Sequence, residues 1–291
     1  MFELARMGEK MEHSTILAVL NHQTESQFIE DMANALLPLQ MHLTCFLMSP
    51  GVDLPATVYG VPPYGNVEIS NEWKRRVDEA LAVQKNRVDE IEQILARTGV
   101  SGDVQARLCN AAETRDHIAI RARVSDLNVL APSLRETPQF MNDAAHGVLF
   151  GSASGMMVNG LPSSEFGRIL VAWDSSKAAA AAVRVAMPFL KRASEARVAC
   201  FDPVAAAELG GADPGTDVSR WLSHHGCNVV LSQYPSGGQE IGQCIQDRAR
   251  EFGADLVVMG AYGHSRLLQA VFGGTTRSML EQQELAVLMA H

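Results

Sequence analysis

The feature that most constrains this sequence is an internal repeat, because a chain written twice is expected to fold into two similar units. The segment STILAVLN, which begins at Ser14, resembles GRILVAWD, which begins at Gly167. Both are short apolar runs that end in a polar residue, the pattern of a buried parallel strand. A stretch with helical spacing of apolar residues follows each of them. The two halves therefore open with the same strand and helix.

A second pair of matching segments lies late in each half. RVSDLNVLAPS, around Asp126, matches GADLVVMGAYG, around Asp255, and each half then closes with one more apolar strand, GMMVNG or ELAVLMAH. The number of residues between the aspartate-containing segment and the closing strand is nearly the same in both halves. A length of 291 residues also suits two domains. We predict domains at 12–160 and 166–291, joined where Pro, Gly and Ser cluster, at 159–167.

Strand and helix patterns alternate between these landmarks, which predicts parallel sheets covered on both faces. The first half also carries a long helix near Asn71–Arg97, whose apolar stripe is broken at Gln84. The expected fold class is α/β, with two tandem doubly wound domains, each a five-stranded mainly parallel sheet. In the second half we predict a helix at Gln239–Phe252 and strands at Arg168–Trp173, Ala196–Phe201, Asn228–Ser232, Asp255–Met259 and Leu285–Met289.

A glycine-rich segment in the second half carries most of the chemical information. After the strand that ends at Met259 come Gly260 and Gly263, then the run Gly273, Gly274, Thr275 and Thr276 at the start of a helix. Ligands of parallel sheets sit beyond the carboxyl ends of the strands, and glycine lets main-chain N–H groups approach an anion closely. The free N–H groups and dipole of a helix start add to this. The segment therefore predicts a phosphate site, although single glycines often make turns and a threonine before a helix is often only an N-cap.

The spacing G-x2-G-x9-G formed by Gly260, Gly263 and Gly273 resembles the ATP-binding motif of the universal stress proteins. The resemblance covers the second half and, more faintly, the first. It departs from the family pattern at Gly274, where the family commonly has Ser or Thr, so Thr275 would supply that hydroxyl or the contact would be main-chain only. It implies a fold like that of adenine nucleotide alpha hydrolases and binding of ATP, ADP or AMP, with Mg²⁺ as a possible companion ion.

The resemblance also assigns roles at the end of the strand VAWD. It places Asp174 beside the adenine and ribose, flanked by Ala172 and Trp173, and a carboxylate can accept hydrogen bonds from their hydroxyl or amino groups. The alternative is that Asp174 is the N-cap of the next helix. Met259 would pack against the base or the sugar, or would simply belong to the core.

The first half lacks these residues at the matching positions. Ala131 and Leu134 stand where Gly260 and Gly263 would be, with Pro132 between them, and Asn21 replaces Asp174. Proline removes an N–H group and the side chains block a phosphate. The later GSASG, from Gly151, is interpreted as a turn. We therefore expect a degenerate first domain without a glycine loop. By resemblance to dimeric relatives, it would pair with the second through their last strands as an internal pseudo-dimer, with a homodimer of whole chains left open.

The amino-acid composition limits the classes of binding partner that the chain is expected to have. The formal net charge is −9, with no basic cluster, which argues against nucleic acid and anionic membranes. The five cysteines are scattered, the N-terminus has no signal peptide pattern, and no run of 18 apolar residues occurs, so we expect a cytoplasmic protein. His224 and His225 are adjacent and point about 100° apart in a helix, and no metal site is predicted.

Three functions remain open at this point. The first is a nucleotide-binding protein with a regulatory or stress-response role. The second is a slow ATP-hydrolysing enzyme, which is disfavoured because no general base or pair of Mg²⁺-binding carboxylates accompanies the loop, and no catalytic residue is assigned. The third is a nucleotide-free interaction module or scaffold.

Overall fold

A computed structural model of the chain describes residues 13–52, 71–162, 165–203, 214–261 and 273–291. The strands are β1 (Thr15–Asn21), β2 (His42–Pro50), β3 (Ser101–Cys109), β4 (Leu127–Leu130), β5 (Gly155–Val158), β6 (Arg168–Ala172), β7 (Glu195–Phe201), β8 (Val229–Tyr234), β9 (Leu256–Gly260) and β10 (Val287–Ala290). The helices are α1 (Ser26–Leu36), α2 (Asn71–Thr98), α3 (Ala111–Ala122), α4 (Pro138–Gly151), α5 (Lys177–Val185), α6 (Met187–Leu190), α7 (Thr216–His224), α8 (Ile241–Phe252) and α9 (Gly274–Glu281).

The described strands form one sheet in the order β3-β2-β1-β4-β5-β10-β9-β6-β7-β8. Each half contributes five neighbouring strands with the same internal order, and within each half every pairing is parallel. The α/β class and the doubly wound topology are therefore confirmed. The limits at 160 and 166 stay predictions.

The two halves join through their last strands. β5 and β10 pair antiparallel, with Met157 opposite Leu288, so the two five-stranded units continue as one sheet. Because this pairing is antiparallel while the other pairings are parallel, the carboxyl ends of β1 and β4 lie at one edge of the sheet, and those of β6 and β9 lie at the opposite edge. The molecule thus presents two separate crevices of the kind in which parallel sheets bind ligands.

Apolar runs form the central strands because both faces of the sheet are covered. Ile16–Leu20 of β1 and Leu256–Met259 of β9 are buried along their length, as predicted from their sequences. The long helix α2 differs from expectation in one respect. Gln84 is buried and its Nε2 donates to Ser49 Oγ at 3.3 Å, whereas Leu81 of the predicted stripe is 47% exposed. The helix enters the core only from about Gln84 onward.

Several smaller expectations can be compared directly with the structure. The GSASG segment connects the end of α4 to the start of β5, where Gly155 packs closely on Val185. All five cysteines are buried and unpaired with one another. Within the described ranges, no helix combines the length and apolar character needed to cross a membrane.

Candidate functional site

The predicted site residues of the second half gather at the carboxyl ends of two neighbouring strands. Ala172 at the end of β6 lies in register with Met259 of β9, so the chain leaves both strands at the same place. The helix α9 begins at this edge too, because β10 runs parallel to β9 and the helix between them has to return across the sheet. We call this site the C-terminal crevice, formed by residues 172–176, 259–261 and 273–276. Gly263 lies outside the described residues.

Gly260 is required for packing. A Cβ atom at this position would overlap the backbone nitrogen of Ala179 and lie 2.7 Å from the carbonyl carbon of Ala178. The end of β9 therefore touches the first turn of α5, an approach that only glycine permits. The sequence predicted that Gly260 contacts a phosphate. In the structure its closest contact is with the first turn of α5.

Gly273 and Gly274 have a different environment. Both are exposed, and a Cβ atom on either would meet no atom of the described residues within 4 Å. Gly273 is the N-cap of α9, with φ of −61°, and no side chain caps this helix start. The first N–H groups of α9 are thus not occupied by a capping side chain, which is the condition under which a helix start binds an anion.

A second helix start lies against the first. A Cβ atom on Gly242, the second residue of α8, would lie 3.2 Å from Cα of Thr275, the second residue of α9. The N-cap of α8 is Glu240, which also makes no side-chain cap hydrogen bond. Two positive helix ends therefore meet at this edge of the sheet, and their dipoles add in favouring negative charge.

The threonines and Met259 lie deeper than the glycines. α9 begins at Gly274, so Thr275 and Thr276 lie inside its first turn, and the alternative that they are N-caps is wrong. Thr276 is only 3% exposed, whereas Thr275 is half-buried, so Thr275 is the better-placed hydroxyl for a ligand. Met259 is 4% exposed and packs in the core.

Asp174 lies exposed just beyond β6. Its Oδ1 accepts a hydrogen bond from the backbone N–H of Ser176 at 2.9 Å, across Ser175, whose φ is +63°. The N-cap of α5 is Ser176, whose side chain accepts from Ala179 N at 3.0 Å, so the alternative role of Asp174 as N-cap is wrong. A left-handed backbone at a residue other than glycine is costly and is found preferentially at functional sites. Ala172 and Trp173, which flank the turn, are half-buried.

A second carboxylate at this edge escaped the sequence analysis. Asp202 follows β7, has φ of +43°, and accepts a hydrogen bond from Ser236 N at 2.8 Å. That hydrogen bond and one from the Ser236 side chain lower the pKa of Asp202. A charged residue directly after a buried strand was the available signal. Asp174 and Asp202 make the β6–β7 side of the crevice negative, so a phosphate would favour the α9 side.

The thiol of Cys200, in β7, interacts electrostatically with Asp174 on the β6–β7 side of the crevice. Burial, and secondarily the charge of Asp174, raise the pKa of Cys200 to about 11. Cys200 is 2% exposed, as expected of a packing residue. The second predicted packing cysteine, Cys244, is also buried.

The equivalent place in the first half, which we call the N-terminal crevice, is filled at the strand ends. Asn21 is 4% exposed, and its Oδ1 accepts from Ser133 Oγ at 2.8 Å and from Thr24 Oγ1 at 3.0 Å. Ala131 and Leu134 are completely buried, and a 3-10 helix over Pro132–Glu136 follows β4. The absence of a glycine loop from this half, predicted from the sequence, thus corresponds to a packed strand end.

One hydrogen-bonded chain of Ser, His and Asp also escaped the sequence analysis. His42 Nδ1 lies 2.9 Å from Ser101 Oγ, and His42 Nε2 lies 2.9 Å from Asp103 Oδ1. These side chains lie on the strand face of β2 and β3, where 38% of the His42 side chain and 43% of the Asp103 side chain are exposed. Burial alone would raise the pKa of Asp103, but hydrogen bonds from Gln105, His42 and Thr44 lower it. This chain ties the edge strand β3 to β2.

The described ranges were expected to hold no metal site. No group of three His, Cys, Asp or Glu side chains there is arranged to hold a metal ion. His225 Nδ1 instead donates to the carbonyl oxygen of Trp221 at 2.8 Å, and the imidazole lies tilted by 44° against the Trp221 ring.

Comparisons with known proteins agree with this geometry. The model of the universal stress protein family matches residues 236–291. The fold is similar to the crystal structure of a protein suggested to be a universal stress protein from Pseudomonas aeruginosa UCBPP-PA14, with a TM-score of 0.56 and 15% identity over 97% of this chain and 94% of that chain. It is also similar to a functionally unknown protein from Pseudomonas aeruginosa PAO1, with a TM-score of 0.53 and 14% identity over 97% and 93%. No curated protein matches the chain. The universal stress protein family predicted from the glycine spacing is thus matched over residues 236–291, and the chain as a whole shares the fold of these two structures.

Proposed function

We propose that the C-terminal crevice binds an adenine nucleotide, ATP foremost, and that the chain senses this nucleotide in a stress response. In this proposal domain 166–291 holds the ligand, and domain 12–160 is its degenerate partner. Phosphates would lie at the start of α9, and the sugar and base would lie toward Asp174. Mg²⁺, if it accompanies the nucleotide, would be held through the phosphates.

The observation that carries the proposal is the open start of α9. Gly273 and Gly274 leave the first N–H groups of this helix without a side-chain cap and without a covering Cβ atom. The adjacent start of α8 adds a second positive helix end. Such a pair favours an anion, and the carboxylate of Asp174 on the other side suits hydroxyl or amino donors.

The test is calorimetric titration of the full chain with ATP, ADP and AMP, with and without Mg²⁺. In Gly274→Val, a side chain would cover the helix start, and its Cβ atom would meet no described atom within 4 Å, so we expect ATP affinity to fall at least about tenfold, equivalent to about 1.4 kcal/mol. The matched control is Gly167→Ala at the opposite edge of this half, where a Cβ atom would meet its nearest neighbour at 3.4 Å. This control is expected to bind ATP as the wild type does.

The other two functions are outcomes of the same experiment. If no adenine nucleotide binds, or if Gly274→Val binds ATP as well as the control does, the proposal is wrong and an interaction module remains. If ATP is consumed above background by the wild type and not by Gly274→Val, the protein is an enzyme rather than a sensor.

A further inference from the structure

The N-terminal crevice is packed at its strand ends, yet a pocket lies directly outside them. It has a volume of about 720 Å³, within the usual range for small-molecule sites. Its floor includes Thr24 and Ser133, which hydrogen-bond to Asn21. Its far wall comes from residues 159–161 and Gln283, so both halves contribute to it. The pocket therefore corresponds in position to the nucleotide site that we propose for the C-terminal half.

The charges of this pocket are the reverse of those at a phosphate site. Among the lining residues that the structure describes, Glu25, Asp31 and Glu136 are acidic and Arg135 is the one cation. The three carboxylates are on exposed residues, so their field reaches the pocket opening. Pro132 at the end of β4 has no N–H group to offer an anion. A nucleotide would be repelled, and a positively charged molecule would be attracted.

Arg135 adds a directional feature. Its Nε donates to the carbonyl of Leu280 at 2.7 Å, at the C-terminal end of α9, whereas its Nη2 is buried and has no hydrogen-bond acceptor among the residues that the structure describes. Arg135 also lines the pocket, so its guanidinium group, rather than the enclosed Nη2 atom alone, is the hydrogen-bond donor that a ligand oxygen would meet there. The Phe28 and Leu161 side chains provide apolar wall on either side.

We propose that this pocket binds a small organic cation that also carries an oxygen acceptor, of the size of a basic amino acid or dipeptide. Ammonium groups would pair with Glu25, Asp31 and Glu136, and a carbonyl or carboxylate oxygen would accept from Arg135. The first half has then exchanged a phosphate site for a site of opposite charge preference. This inference is independent of nucleotide binding in the second half.

The test is titration of the full chain at low ionic strength with three probes: the dipeptide lysyl-lysine, cadaverine and glutarate. Lysyl-lysine is expected to bind most tightly, cadaverine more weakly because it has no oxygen for Arg135, and glutarate not at all. Saturating ATP is expected to leave the lysyl-lysine affinity unchanged. Glu25→Gln and Glu136→Gln are each expected to weaken lysyl-lysine about threefold, as for an exposed ion pair.

Glu92→Gln is the matched control, because it removes the same charge from an exposed position of α2 outside the pocket. It is expected to bind lysyl-lysine as the wild type does. The proposal is overturned if lysyl-lysine does not bind, or if glutarate binds as tightly as lysyl-lysine. It is also overturned if Glu92→Gln weakens lysyl-lysine binding as much as Glu25→Gln and Glu136→Gln do. Thermal unfolding of each variant confirms that the pocket is intact.

Discussion

The N-terminal and C-terminal crevices occupy the same position in two five-stranded units of the same order, but their polar groups are used differently. In the first half Asn21 is buried, and its side chain forms hydrogen bonds with Thr24 and Ser133. In the second half Asp174 at the matching strand end is exposed, on a turn that includes a left-handed serine. The contrast shows that one fold can turn a strand end either into core or into an open, polar crevice by changing a few residues.

The glycines make the same comparison within one crevice. Gly260 is enclosed by the first turn of α5, whereas Gly273 and Gly274 border open space. In the first half the matching strand end carries Ala131, completely buried. A motif read from sequence therefore mixes glycines needed for packing with glycines that leave room for a ligand, and only the second kind can be substituted to test binding.

The largest expected effect is at Gly260. Gly260→Ala would drive a methyl group into the backbone of Ala178 and Ala179, and we expect it to lower the free energy of unfolding by about 1–3 kcal/mol. Gly274→Ala is expected to leave that free energy unchanged or raise it by up to about 1 kcal/mol, since alanine is the better helix former. Urea denaturation of both variants measures the difference. Equal stabilities would mean that the two glycines do not differ as described.

The next effect separates the two strand ends. Asn21→Ala leaves the buried Thr24 hydroxyl and the half-buried Ser133 hydroxyl without their shared acceptor, and we expect it to cost about 1–3 kcal/mol of unfolding free energy. Asp174→Ala removes an exposed side chain and is expected to change stability by no more than about 0.5 kcal/mol. Chemical denaturation followed by circular dichroism tests the pair. A larger loss in Asp174→Ala than in Asn21→Ala would reverse the comparison.

The third prediction concerns how the free energy of unfolding depends on pH above pH 9. Burial raises the pKa of Cys45 in β2 to about 12, with a smaller contribution from Asp103, against an ordinary value of 9.0. The folded protein therefore keeps this proton when the unfolded chain has lost it, so the stabilisation is complete below pH 9 and is lost as the pH rises toward 12. We expect unfolding free energy to fall by about 1 kcal/mol per pH unit in that interval. Cys45→Ala is expected to have a flatter profile between pH 9 and 11.

The smallest effect concerns the two thiols themselves. Burial raises the pKa of Cys200 to about 11 and that of Cys45 to about 12, so iodoacetamide at alkaline pH is expected to modify Cys200 before Cys45. Asp174→Asn removes a charge that raises the Cys200 pKa and is expected to speed its labelling about twofold. Cys45 in the same sample is the internal reference. An unchanged labelling rate of Cys200 in Asp174→Asn would mean that the charge of Asp174 does not raise the pKa of this thiol.

The architecture follows closely from the sequence because its signals are local. The buried strands β1, β6 and β9 are continuous apolar runs, and the repeated order of strand and helix leaves few topologies open. The pairing of β5 with β10 came from resemblance to dimeric relatives, since no local pattern specifies which strand edges meet.

The details of the sites were less accessible to sequence. Whether a glycine is enclosed or open depends on a helix distant in the chain, as for Gly260 and α5. Asp202 and the pocket beside Arg135 likewise arise only when separate segments come together. The sequence left open that Asp174 caps α5, because Asp174 and Ser176 are both good N-cap residues, and the backbone turn decides in favour of Ser176.

The most direct test of the account is the number of adenine nucleotides bound per chain at saturation, measured by equilibrium dialysis with labelled ATP. We expect one ATP per chain in the wild type and in Asn21→Asp, because a single carboxylate does not restore an open helix start to the N-terminal crevice. The same measurement on Gly274→Val is expected to give a strongly reduced occupancy. Two nucleotides per chain, or none, would contradict the assignment of the ligand to the C-terminal crevice alone.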